Sequence, residues 1–113
     1  MTDAPGTTWL TIPDLVEQLG ISQSRVRRLL DERILLAIRV DGVLKVPADF
    51  IVDNEPLGDL RGTLVVLADA GFTDEEAMHW LLNEEESLAA TPIDALRARR
   101  KAEVRRVAQA LGF

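Results

Sequence analysis

LTIPDLVEQLGISQSRVRRLLDERILLAIRVDGVLKVP, residues 10–47, changes its apolar period partway along, and that change decides the fold. Thr11 followed by Asp14 is an acidic capping box, with Pro13 in the first turn of the helix it opens. Leu15, Val16 and Leu19 form that helix's apolar stripe, and Gly20 ends it. Ser22 caps a second helix, Gln23 to Glu32, with Val26, Leu29 and Leu30 spaced i, i+3, i+4. Its other positions, Gln23, Ser24, Arg25, Arg27, Arg28 and Asp31, are polar, so a narrow stripe is buried and the rest faces solvent or a ligand. From residue 34 the period falls to two. Leu36, Ile38 and Val40 alternate with Ala37 and Arg39, then Asp41-Gly42 precedes Val43 to Val46, the pattern of a β-hairpin. Pro47 stops its second strand.

Outward from this stretch, residues 1–8 are small and polar and read as a flexible N-terminus. Beyond residue 50 the pattern reads as helical. Leu60, Leu64 and Leu67 lie on one face of a helix from Leu57 to Ala70, which closes at Gly71. Thr73 with Glu76 is a capping box for a helix through Leu82. Asn83 to Ala90 reads as an acidic loop, Thr91-Pro92 starts a short helix, and Ala102 to Leu111 forms the last, ended by Gly112. The expected architecture is mainly α with a small β-hairpin. Residues 9–50 form a head that packs on a C-terminal helical region, residues 51–113.

The chain has 113 residues, enough for one small domain or two very small ones sharing a core. It has no cysteine and one histidine, His79, which excludes disulfide scaffolds, thiolate zinc sites, cysteine nucleophiles and clusters of imidazoles. No apolar run approaches a membrane span and no signal peptide opens the chain, so the expected location is cytoplasmic, with no membrane partner. The net charge of −6 and a pI near 4.7 argue against nucleic acid when taken as an average. The charge is segregated, however. Residues 22–46 carry Arg25, Arg27, Arg28, Arg33, Arg39 and Lys45 against Asp31, Glu32 and Asp41, a net of +3. Residues 51–90 carry ten acids against Arg61 alone, and residues 91–113 carry a net of +4. Two basic islands flank an acidic middle.

Helix, short turn, basic polar-faced helix and hairpin is the layout of a winged helix-turn-helix. A short helix fits the major groove, where arginine pairs bidentately with guanine or neutralises phosphate. The expected partner is double-stranded DNA, read by a recognition helix at about residues 22–32 and a wing at about 38–46. Gln23 and Ser24, in the first turn, are candidates for base readout. Arg25, Arg27 and Arg28 divide between bases and backbone, and Arg39 and Lys45 flank the wing turn, within reach of a minor groove or phosphate. Against this stands the plain alternative of a solvated basic face; the hairpin with its own bases favours DNA.

Residues 10–47 resemble the DNA-binding head of the MerR and excisionase-like winged-helix families. With the tail segments AGFTDEEAMHWLL (70–82) and TPIDALRARRKAEVRRVAQALGF (91–113), the chain from Trp9 resembles a small actinobacterial, mycobacterial-type, winged helix-turn-helix DNA-binding protein family. The resemblance implies that Gln23 to Arg28 are recognition-helix positions and that Val40 to Val43 are the wing tip; the function expected is that of a transcriptional regulator or a nucleoid-associated factor. The chain departs from effector-sensing MerR regulators, which carry a long dimerisation helix and metal-binding cysteines. The tail is also similar to the toxin-binding domain of some antitoxins, which implies the alternative of a protein-interaction module docking a partner through the C-terminal helices.

The plain reading of Trp80, Leu81, Ile93, Leu96, Val104, Val107 and Leu111 is a helical core that completes a head too small to stand alone. Arg97, Arg99, Arg100, Lys101, Arg105 and Arg106 either extend the DNA surface, adding about −5 to the salt slope, or neutralise the acidic residues 84–86. Catalysis is unsupported: His79 has no serine or cysteine partner in a recognisable pattern. Glu84, Glu85 and Glu86 lack calcium-loop spacing, and no phosphate-binding glycine loop occurs. Neither a metal nor a cofactor is expected. Thr7, Thr8 and Thr11 near the N-terminus are candidate phosphorylation sites for a Ser/Thr protein kinase, where added negative charge would oppose DNA binding.

Overall fold

Thr11 closes a complete capping box in the computed structural model, which describes residues 6–111. Its hydroxyl accepts from the Asp14 amide and its own amide donates to the Asp14 carboxylate, opening α1 (Ile12–Leu19). Gly20 ends α1 in the left-handed region at φ 67°, donating to the Val16 carbonyl, and turns the chain into Ser22. Ser22 caps α2 (Gln23–Asp31) through the Arg25 amide. The hairpin follows as β2 (Ile38–Val40) and β3 (Val43–Pro47). Asp41 and Gly42 have φ of 54° and 79°, the two positive values that a tight hairpin turn requires.

Two strand features depart from the sequence expectation. Trp9–Thr11 is a strand, β1, pairing antiparallel with β3 so that the sheet order is β1-β3-β2. Three residues are too few to display a period, and β1 passes directly into α1. The pairing extends back to Thr8, whose carbonyl accepts from the Ala48 amide. The segment after residue 50 is not wholly helical either. After a 3-10 turn at Ala48–Phe50, β4 (Ile51–Val52) and β5 (Glu55–Pro56) form a second, two-stranded hairpin. Its turn residues Asp53 and Asn54 have φ of 52° and 61°, a conformation their short polar side chains tolerate better than most.

The first long tail helix accordingly begins later than expected, as α3 (Leu60–Asp69). The Thr73/Glu76 capping box opens α4 (Asp74–Leu82), and Thr91 caps α5 (Pro92–Arg97). The chain ends in α6 (Lys101–Ala110), whose expected stop at Gly112 lies outside the described residues, as do Met1 to Pro5. Residues 83–90 are more than a loop. A 3-10 turn at Glu86–Leu88 and a bridge between Glu85 and Ala90 let Leu88 reach the core, 2% exposed.

One apolar core runs through head and tail. Leu15, Val26, Val46 and Phe50 are fully buried beneath the sheet and first helices, and Leu60, Leu64, Leu67, Leu81 and Val104 are fully buried among the tail helices. Each such side chain contributes about 1.5–3 kcal/mol by leaving water. α3 packs on α6, α4 on α5 and on β2, and α5 on the turn that carries Phe50. The head therefore shares its interior with the tail.

Candidate nucleic-acid interface

Val26 is fully buried, and its helix turns everything else around it. At 100° per residue Arg28 projects nearly opposite Val26, with Ser24 beside it, while Arg25 and Arg27 flank them on either side. Gln23, Ser24, Arg25, Arg27 and Arg28 are all exposed. Among the described residues the guanidiniums of Arg25, Arg27 and Arg28 donate to no protein acceptor, so they stand free for phosphate or base edges. At the N-terminus of α2, the Ser22 hydroxyl takes the Arg25 amide at 3.2 Å and the Ser22 carbonyl takes the Val26 amide at 3.1 Å. The amides of Gln23 and Ser24 remain directed outward, where a helix N-terminus favours an anion.

The two wing candidates do not share a face. Opposed residues of an antiparallel pair point the same way and neighbours alternate. Arg39 pairs with Leu44 and Lys45 with Ile38, so Arg39 and Lys45 lie on opposite sides of the sheet. Arg39 folds over the turn and donates to the Gly42 carbonyl at 3.2 Å. Lys45 sits beside Thr11 of β1. The Asp14 carboxyl is held below its ordinary range by hydrogen bonds from the Thr11 backbone and side chain, with a smaller contribution from the Lys45 charge. The wing tip itself exposes Val43, 47% accessible.

The tail bases are arranged differently from either expectation. Arg97 donates to the carbonyls of Asp49 and Ile51 at 2.9 and 3.1 Å, clamping α5 to the segment that leaves the wing. Arg100 donates to Glu103 and to the Leu88 carbonyl, and Lys101 lies 3.7 Å from Asp59. The Arg105 guanidinium packs against Gly62 of α3. Four of the six are thus committed within the fold, and their acidic partners are Glu103 and Asp59 rather than Glu84 to Glu86.

Two further head-to-tail contacts escaped the sequence reading. Arg33 Nη1 donates to Asp74 Oδ1 at 3.0 Å, and Arg61 Nε donates to the Glu32 carbonyl at 3.1 Å. Arg61 had a signal, being the sole base in an acidic stretch of forty residues. Arg33 had none. Of the threonines, Thr8 is exposed, Thr7 half-buried, and Thr11 is occupied by the cap of α1. No helix among the described residues is long and apolar enough to cross a membrane.

A family model described as the winged helix-turn-helix domain of DNA-binding protein Rv2175c matches residues 3–51. A second, described as the Rv2175c C-terminal domain of unknown function, matches residues 57–112. The chain is 34% identical over 115 residues to the DNA-binding protein Rv2175c of Mycobacterium tuberculosis, covering 90% of this chain and 79% of that protein. It is 35% identical over 52 residues to an excisionase of Streptomyces ambofaciens, covering 44% of this chain and 84% of the excisionase. The NMR structure of Rv2175c superposes with a TM-score of 0.86 at 33% identity, over 96% of this chain and 84% of that one.

Proposed function

Because the chain belongs to the Rv2175c family of winged helix-turn-helix DNA-binding proteins, we propose that it reads double-stranded DNA with α2 as recognition helix and serves as a transcriptional regulator in the cytoplasm. The observation that carries this reading is the contrast between two sets of arginines. Arg25, Arg27 and Arg28 stand exposed with no acceptor among the described residues, whereas Arg33, Arg61, Arg97 and Arg100 each hold one. Gln23 and Ser24 meet base edges, the three arginines divide between bases and phosphates, and Arg39 at the wing turn reaches the adjacent backbone. Lys45, on the other side of the sheet, contributes through its field more than by contact. The acidic remainder of the molecule repels DNA, so binding is confined to one face and depends steeply on salt.

The chain divides at about residue 50 into a reading head and a helical region that completes its core, a division supported by the two family matches. The docking-module alternative has less support, since the tail helices spend their apolar faces on one another and on the head. Thr7 and Thr8 are the threonines a kinase would meet with least disturbance of the fold, and Thr7→Asp with Thr8→Asp should weaken DNA binding at low salt; unchanged affinity rejects this. The reading as a whole is tested by fluorescence anisotropy on random duplex DNA across a salt series. Wild-type protein should bind at low salt, and the variant with Arg25, Arg27 and Arg28 all replaced by Ala should lose most of that affinity. Equal affinity of the two proteins rejects α2 as the contact surface.

A further inference from the structure

A nine-residue helix with one fully buried side chain, Val26, has little of its own to hold its register. Besides its packing on α1, α2 is held at its C-terminal end by two side-chain contacts that come from the tail. Glu32, the C-cap, gives its carbonyl to Arg61 Nε at 3.1 Å, and Arg61 is the second residue of α3. Arg33 follows at φ 58° in the left-handed stop of the helix, closed by its own amide on the Leu30 carbonyl and by the Ile34 amide on the Leu29 carbonyl. Its guanidinium is held by Asp74, the first residue of α4, at 3.0 Å. Two consecutive residues at the end of α2 are therefore captured by two different tail helices.

We propose that the C-terminal helical region is a brace for the recognition helix, with Arg61 and Asp74 as positioning residues that set how α2 is presented and make no contact with DNA. The proposal rests on the reading of α2 as the DNA-contacting helix. It carries a sign that charge alone does not. Asp74 is acidic, so by its field its removal should favour a polyanion. By positioning, its removal releases Arg33 and the end of α2, and DNA binding falls.

The test measures DNA affinity of the full chain by anisotropy across a salt series for wild type, Arg61→Ala, Asp74→Ala, Asp74→Asn and Asp74→Glu, with the melting transition of each recorded alongside. The Arg25, Arg27, Arg28 triple alanine variant is the control. Arg61→Ala, Asp74→Ala and Asp74→Asn should each weaken binding about two- to fivefold, the size expected of one partly exposed ionic contact. Asp74→Glu should restore it, and the slope of log K against log salt should stay at the wild-type value. Amide exchange at Arg28 to Glu32 should quicken in the weakened variants. Asp74→Ala binding as tightly as wild type or tighter overturns the brace, as does a slope reduced by about 1 in Arg61→Ala, which marks a direct phosphate contact. If the triple variant loses DNA while the brace variants match wild type, the brace falls and the α2 reading stands. If the triple variant binds like wild type, both fall.

Discussion

Arg28 projects almost opposite the buried Val26, so its replacement by Ala disturbs no packing and removes one free guanidinium. Arg28→Ala should leave the melting temperature unchanged, weaken DNA binding, and reduce the magnitude of the salt slope by about 1 if the contact is to phosphate. An anisotropy titration at several salt concentrations reads both. Gly62 and Arg105 form a pair of another kind. A Cβ on Gly62 would collide with the Arg105 guanidinium, so the glycine is the seat of that side chain. With Arg105 replaced by Ala the seat is empty, and Gly62→Ala should then stabilise α3 through helix propensity, by up to about 1 kcal/mol. In the wild-type background the same methyl evicts the guanidinium and the gain disappears. Urea unfolding of the four proteins should show a coupling near 1 kcal/mol, and additive effects would reject the contact.

At the scale of elements, α1 and α4 are opened by the same device, a threonine whose hydroxyl accepts from the amide three residues on and whose own amide donates to that residue's carboxylate. Hydrogen bonds from Thr11 and from Thr73 hold the carboxyls of Asp14 and Glu76 below their ordinary values. Because the folded values lie below the unfolded ones, the stabilisation is complete above the ordinary carboxylate range and is lost as pH falls through the folded values. Asp14→Asn and Glu76→Gln should each flatten the decline of melting temperature below about pH 5, and parallel profiles for variant and wild type would rule the boxes out as its source. These elements were legible because a cap is a local event, settled by residues three apart. So were α2 and the wing, whose period and Asp-Gly turn are written within ten residues. β1 and the β4–β5 hairpin were not. Strands of three and two residues show no period, and Trp9 becomes a strand only because β3 lies beside it. Likewise the opposite facing of Arg39 and Lys45 depended on register, which an even or odd count across the turn decides.

For the whole molecule, the head and tail depend on one interior. α4 packs on β2 and α5 on the turn carrying Phe50, a residue with no exposed surface. A fragment ending at residue 51 would expose that surface, and should lack the cooperative thermal transition of the full chain when followed by circular dichroism. Arg97 adds a charged clamp across the same junction. Its replacement by Ala leaves the part-buried Ile51 carbonyl without its partner and should lower stability by about 1 kcal/mol, read from the urea midpoint at constant m-value. The net charge of −6 is likewise a property of the whole that conceals its parts, since three free arginines share α2 while four of the six tail bases are committed within the fold. By itself the sequence determined the helix-turn-helix and wing, the capped helices and the face of α2 that carries arginines, because these follow from spacing along a few turns of chain. Only the tertiary structure decided which arginines remain free. That depends on which carbonyls and carboxylates the packing brings within hydrogen-bond reach, as it brings Glu32 to Arg61 and Asp74 to Arg33 from 29 and 41 residues away.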